Sequence, residues 1–152
     1  MLRKDSPAGF ISRFVLLHVV TYLVFGVLFM LISDYFTYFQ ESVLLRQIMR
    51  SSDSLIVRFA VLIQIGRGLL LALALVSFRE VFLGSRGWLR LFFLMWVFTA
   101  VGAVITGPGS IEGIVYTKIG LANPLIGYPE VILQMLVFSF FLIKWEKRIQ
   151  GV

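Results

Sequence analysis

The sequence predicts an all-α integral membrane protein, an antiparallel bundle of four transmembrane helices with both termini in the cytoplasm. Of the 152 residues, 59% are hydrophobic and 14% charged, and the mean hydropathy is +0.95, whereas soluble domains carry about 25% charged residues. Four apolar stretches approach or exceed the roughly 20 helical residues that cross a bilayer. The basic residues lie mainly at the ends of these stretches, as in membrane proteins generally.

We expect residues 1–152 to form a single transmembrane domain. Its predicted helices cover residues 14–33, 55–78, 88–106 and 129–145. The first stretch is longer than the apolar part of a signal peptide and no small-residue cleavage site follows it, so we expect it to be retained. The last stretch is short, but Pro129 suits a first helical turn, and Lys144 and Trp145 are typical interfacial residues.

The distribution of Lys and Arg predicts the orientation of the bundle. Nine basic residues would lie on one side of the membrane, namely Arg3, Lys4, Arg13, Arg79, Arg86, Arg90, Lys144, Lys147 and Arg148. Three would lie on the other side, namely Arg46, Arg50 and Lys118. Because basic residues near helix ends stay in the cytoplasm, both termini are predicted to be cytoplasmic. The pattern suits a multi-pass protein of a prokaryotic plasma membrane.

The connection between the first two predicted helices, residues 34–54, has the spacing of an amphipathic helix. Phe36, Phe39 and Val43 fall on one face, and Gln40 and Glu41 fall on the other. We expect this helix to lie on the outer leaflet and to shield the bundle. A lid or a partner-binding helix is the alternative.

The connection between the last two predicted helices, residues 106–128, is long, apolar and interrupted by Gly and Pro. It is too apolar for an ordinary solvated loop and too interrupted for a full span. We expect it to pack on the outer membrane surface. The alternative is a shallow re-entrant segment, which requires protein or water to satisfy its backbone.

Arg67 is the most informative single residue, because it lies near the middle of the second predicted helix. An arginine that faces lipid at this depth is unfavourable by at least about 2.5 kcal/mol, so it must face the bundle interior or a subunit interface. We expect an outward-opening polar pocket that binds a ligand through Gln64, Arg67, Glu130 and Gln134, with Glu112 in its rim. The alternative is a structural ion pair between Arg67 and one carboxylate, with Glu130 acting as a favourable charge at a helix N-terminus.

The remaining polar residues give weaker indications. His18 lies one turn before Tyr22 and is open to three interpretations: a proton relay, a haem ligand, or a polar contact between helices, which we favour. The chain has one His and no Cys, so we predict no metal site and no cofactor. No sequence motif of a known catalytic class is present, so no catalytic residue is predicted. The scattered basic residues argue against nucleic acid as a partner.

The leading hypothesis is therefore a non-catalytic binding or accessory component of the membrane, whose pocket around Arg67 accepts an anionic lipid, a small anion or a group of a protein partner. A homo-oligomeric transporter or channel for an ion or small molecule is the second hypothesis, since four helices alone are few for a pathway. An enzyme that acts on lipid-borne substrates through Glu112 or Glu130 is the third. The lipid bilayer is a partner in each case, and a homo-oligomer or a larger membrane complex is compatible with all three.

Overall fold

The computed structural model describes residues 6–33, 37, 41, 43, 47, 55–98 and 128–151. Within these residues every element is helical: α1 (Pro7–Ile32), α2 (Leu55–Arg58), α3 (Ala60–Leu75), α4 (Arg79–Leu83), α5 (Gly87–Trp96) and α6 (Tyr128–Gln150). The segments Pro7–Ile32, Ala60–Leu83 and Tyr128–Gln150 are long and apolar enough to cross a membrane. The predicted class of helical membrane protein is confirmed to this extent.

The number of four spans stays a prediction. Helix α5 is apolar but has 10 residues, and the described part of this region ends at residue 98. In the predicted connection 34–54, Thr37, Glu41, Val43 and Gln47 are helical and exposed. The rest of that connection and the predicted loop 106–128 lie outside the described residues. The single-domain organisation and the placement of these connections against a membrane likewise stay predictions.

Helix α1 begins at Pro7, seven residues before the predicted start at residue 14. The prediction followed hydropathy and missed the local capping signal. The Ser6 hydroxyl accepts a hydrogen bond from the backbone N–H of Gly9 over 3.2 Å, and Pro7 occupies the first turn, where its missing N–H is harmless. Arg13 is therefore inside the helix, one residue before the predicted boundary.

The second predicted helix, 55–78, is a series of shorter pieces and continues further than expected. It is interrupted at Phe59 and passes through a 3-10 turn at Val76–Phe78 before α4 ends at Leu83. The predicted connection from residue 79 to residue 87 is thus wrong over its first five residues, which are helical. Only residues 84–86 separate α4 from α5, and a Cβ on Gly87 would lie 1.6 Å from the carbonyl oxygen of Phe82. No residue other than glycine fits there.

Helix α6 begins at Tyr128, with Pro129 in its first turn as predicted, and it ends at Gln150, five residues beyond the predicted end. The prediction ended this helix at its hydrophobic boundary. Lys147 and Arg148 lie in the last turn, where a positive charge is favourable beside the negative end of the helix dipole. The helix thus extends beyond its apolar part.

Helix α1 packs against both α3 and α6, and α6 also packs against α5. The ring of Phe14 meets the ring of Phe138 edge-on, with centroids 4.9 Å apart, and Trp88 meets Phe140 in the same manner at 5.9 Å. The core where these helices meet is formed by Phe10, Phe14, Ala72, Leu75, Phe82, Leu91, Phe92, Met95, Met135, Phe138, Leu142 and Ile143. The opposite faces carry exposed Leu, Ile, Val and Phe side chains, as expected where the surrounding solvent is lipid.

Candidate functional site

His18 lies where α1 and α3 meet, and it is 1% exposed. Its Nε2 is 3.2 Å from Oε1 of Gln64. Since an amide oxygen only accepts, this contact has Nε2 donating the hydrogen bond. The other ring nitrogen, Nδ1, is buried and has no hydrogen-bond partner among the described residues. The structure thus shows the polar contact between helices that we favour for His18 from the sequence.

Residues of three helices, α1, α3 and α6, surround the His18 side chain. Its ring stacks near Phe14, with centroids 6.4 Å apart, and meets the edge of Phe138 on α6 at 6.0 Å. On α3, a Cβ added to Gly68 would lie 3.0 Å from Cδ2 of His18. Gly68 therefore allows α3 to approach the imidazole closely, and any larger residue would press on the ring.

Arg67 neighbours this contact but has a different environment. It follows Gln64 by three residues, and its charge acts electrostatically on His18. Unlike Gln64 and Gly68, it is exposed. No carboxylate among the described residues forms an ion pair with it. The alternative prediction, a structural ion pair of Arg67, thus finds no described partner, and the guanidinium lies on the outside of the packed helices.

Glu130 and Gln134 are the predicted pocket residues on α6, and the structure gives a neighbour on α1 for Glu130. Gln134 is 5% exposed. Oε1 of Glu130 lies 3.9 Å from the position of a Cβ on Gly26 of α1. Gly26 is eight residues beyond His18, roughly 12 Å along the helix. The described contacts thus place Gln64 and Arg67 at the level of His18, and Glu130 about two turns further along α1.

Glu112, predicted for the rim of the pocket, lies outside the described residues. The pocket as a whole therefore stays a prediction. The structure brings Gln64 and Arg67 together with His18, a residue that the sequence did not assign to the pocket. The only signal for His18 is its place in the stripe Phe10, Phe14, His18 and Thr21, which repeats every three or four residues and is buried.

The sequence analysis did not predict an ion pair that joins α1 and α6. Nε of Arg13 lies 2.5 Å from Oε1 of Glu146, and the two side chains are 12% and 2% exposed. The second carboxylate oxygen of Glu146 is buried without a hydrogen-bond partner among the described residues. The pair joins the beginning of α1 to the end of α6, so these two helices run in opposite directions.

The turn at residues 84–86 is held by two cations. Nη1 of Arg90 donates to the carbonyl oxygen of Val81 and Nζ of Lys147 to that of Gly84, each over 3.2 Å. Lys147 thereby ties the end of α6 to the turn between α4 and α5. Together with Arg13, Arg86 and Arg148 these residues form the basic end of the packed helices.

No protein-family model matches the chain, and neither a curated protein nor a solved structure matches it significantly. The case for its function therefore depends on its own residues.

Proposed function

We propose that this protein is a non-catalytic binding or accessory component of a prokaryotic plasma membrane, and that Arg67 is the point at which it accepts an anionic group. The observation that carries the proposal is the exposure of Arg67 within the apolar segment Ala60–Leu83. A permanent positive charge on the outside of the packed helices requires a negative partner when the solvent is hydrocarbon.

The depth of Arg67 supports this requirement. Arg67 follows Arg58 by nine residues and precedes Arg79 by twelve, so it lies roughly 13 Å and 18 Å along the helical segment from these flanking arginines. Arg58 and Arg79 are close enough to the ends of the segment to reach headgroups. The Arg67 side chain is too short to bring its guanidinium to either boundary. Uncompensated, it is unfavourable by at least about 2.5 kcal/mol.

The basic end of the packed helices supports an orientation with both termini in the cytoplasm. Arg13 near the beginning of α1, Arg86 between α4 and α5, and Lys147 near the end of α6 belong to this same end. Positive residues near helix ends are retained in the cytoplasm. The orientation is tested by labelling an introduced cysteine from the outside of intact cells. The cysteine of Gln150→Cys should resist a membrane-impermeant reagent. Labelling there would reverse the orientation.

The binding role is tested by native mass spectrometry of the protein extracted gently from its own membrane. The wild type should retain an anionic species, seen as added mass, and Arg67→Ala should lose it. Arg58→Ala removes the same charge from α2, just before the segment Ala60–Leu83, and is the matched control, so it should retain the species. Equal retention by Arg67→Ala and the wild type, or a bare wild type, would end the proposal. A second copy of the chain as the retained mass would favour the transporter or channel hypothesis instead.

A further inference from the structure

The outward face of α3 carries a glycine, Gly66, that has no packing contact with the described part of the chain. A Cβ on Gly68 would press on His18, but a Cβ on Gly66 would have no neighbour within 4 Å. Glycine inside a helix is less favourable than alanine by about 1 kcal/mol. Gly68 has an intramolecular reason to be glycine in its contact with α1. Gly66 has none among the described residues.

Gly66 lies at the centre of the unpartnered face. At 100° per residue it is on the opposite side of α3 from Gln64, Gly68 and Leu75, which pack inwards or face α1. The residues around it are exposed and apolar, namely Leu62, Ile63, Leu69, Leu70 and Leu73. Small residues in membrane helices allow a second helix to approach closely, because no side chain separates the backbones. This face has the form of a helix-docking surface, with Arg67 at its edge.

The charge of Arg67 decides what kind of helix fits. We propose that the Gly66 face binds a transmembrane helix of a different protein, and that an Asp or Glu within the span of that helix pairs with Arg67. This inference rests on the proposed function and names its partner. A carboxylate matches the guanidinium with two parallel hydrogen bonds, and it is carried to the depth of Arg67 by the docking helix itself. A lipid phosphate, in contrast, would have to leave the headgroup layer.

A second copy of this chain does not fit the same face. Copies in one membrane share an orientation, so a symmetric pair across α3 would place two Arg67 side chains at the same depth beside each other. Among the described carboxylates of the membrane-length segments, none pairs with Arg67. Glu80 lies thirteen residues further along the same segment, roughly 20 Å away. Glu146 pairs with Arg13, and Glu130 lies at Gly26 and has interactions of its own. The described residues offer Arg67 no carboxylate, so we place the complementary charge on the docking helix.

The test uses the full-length protein in phosphatidylcholine vesicles and a synthetic leucine–alanine helix of about 24 residues, long enough to cross the bilayer. Three versions of the helix carry Asp, Asn or Leu at the depth of Arg67, and association is measured by energy transfer between labels. We expect the Asp helix to associate at least about tenfold more strongly than the Leu helix, which corresponds to about 1.4 kcal/mol. The Asn helix should fall between them.

Variants separate the charge from the shape of the surface. Arg67→Ala should abolish the preference for Asp over Leu. Gly66→Leu should abolish it with the charge intact, because the added side chain prevents close approach. Val24→Leu, on the exposed face of α1, should leave the preference unchanged. These positions are exposed, so the variants should fold, and helix content measured by circular dichroism checks this.

The inference is overturned if the Asp and Leu helices associate equally with the wild type, or if the preference survives in Arg67→Ala or Gly66→Leu. The proposed function can survive that result. If native mass spectrometry shows an anionic phospholipid whose retention depends on Arg67 while the Asp helix has no preference, Arg67 binds a lipid and the docking inference alone is wrong. If neither species depends on Arg67, both proposals are wrong.

Discussion

Arg13 and Arg67 are two arginines at similar positions in two membrane-length segments with opposite environments. Arg13 follows the start of α1 by six residues, and Arg67 follows the start of α3 by seven. Arg13 is largely buried against the Glu146 carboxylate, whereas Arg67 is exposed. The position of a charge within an apolar helix predicts that the charge needs a partner, and only the packing of the helices reveals whether the chain supplies that partner itself.

The largest effect expected from this comparison is the loss of the buried ion pair. Glu146→Gln keeps the size of the side chain but removes the buried carboxylate that pairs with Arg13, and breaking one side of a buried pair typically destabilises by about 3–5 kcal/mol. We expect a loss of this order in the free energy of unfolding, measured by denaturant titration in lipid–detergent bicelles.

Arg13→Gln made in the Glu146→Gln background is the control for this prediction. Removal of both charges should recover part of the loss, since no buried charge then remains unpaired. A loss below about 0.5 kcal/mol in Glu146→Gln, the size usual for a surface substitution, would show that the Arg13–Glu146 contact contributes nothing to the stability of the fold.

The two glycines beside Arg67 should respond to the same substitution with changes in stability of opposite sign. Gly68→Ala places a methyl group 3.0 Å from the ring of His18, and overpacking of this kind typically destabilises by about 1–3 kcal/mol. Gly66→Ala meets nothing within 4 Å and should stabilise by up to about 1 kcal/mol through helix propensity. The free energies of unfolding of the two variants, measured side by side, give both signs. Equal losses of stability would contradict the different environments of Gly66 and Gly68.

Hydropathy was enough to predict that the chain forms apolar membrane-length helices, and Pro129 was enough to predict where α6 begins. The residues that join the helices were harder to predict. Arg13 was assigned to the membrane boundary because the Ser6 cap, which extends α1 past it, is not an apolar signal. Glu146 lies among Lys144, Lys147 and Arg148 and resembles a solvated boundary residue.

A longer-range pattern distinguishes Glu146 from its neighbours. Met135, Phe138, Leu142 and Glu146 follow one another at intervals of three or four residues and are all buried, so Glu146 continues the packed stripe of α6. Its partner is 133 residues away in sequence. The register between two helices so far apart in sequence depends on how their side chains pack. A short stretch of sequence therefore does not predict which residues of the two helices meet.

Loss of the hydrogen bond between His18 and Gln64 should reduce the free energy of unfolding by less than the Gly68→Ala clash or the loss of the Arg13–Glu146 ion pair. Gln64→Leu replaces the amide with an apolar side chain of similar size and leaves Nε2 of His18 without its acceptor. Side-chain hydrogen bonds between membrane helices contribute about 0.6 kcal/mol on average and up to about 1.7. We expect a loss within this range in bicelles. A double-mutant cycle with His18→Phe isolates the pair, and a coupling energy near zero would show that the 3.2 Å contact does not stabilise the helix pair.

Arg67→Leu should have the smallest effect on stability, and this is the prediction on which the contrast with Arg13 depends. The described side chains around Arg67 lose no ion pair and no hydrogen bond when it is replaced, and leucine is more favourable than arginine toward lipid. The isolated protein should therefore unfold with a free energy unchanged within about 0.5 kcal/mol or raised. Yet the same substitution should remove the bound anionic partner.

A residue that stabilises the chain itself, as we expect of Glu146, behaves differently. Its replacement weakens the fold whether or not a partner is present. A large loss of stability in Arg67→Leu, measured on protein stripped of bound species, would place Arg67 with Arg13 and remove the reason to expect a partner at the Gly66 face.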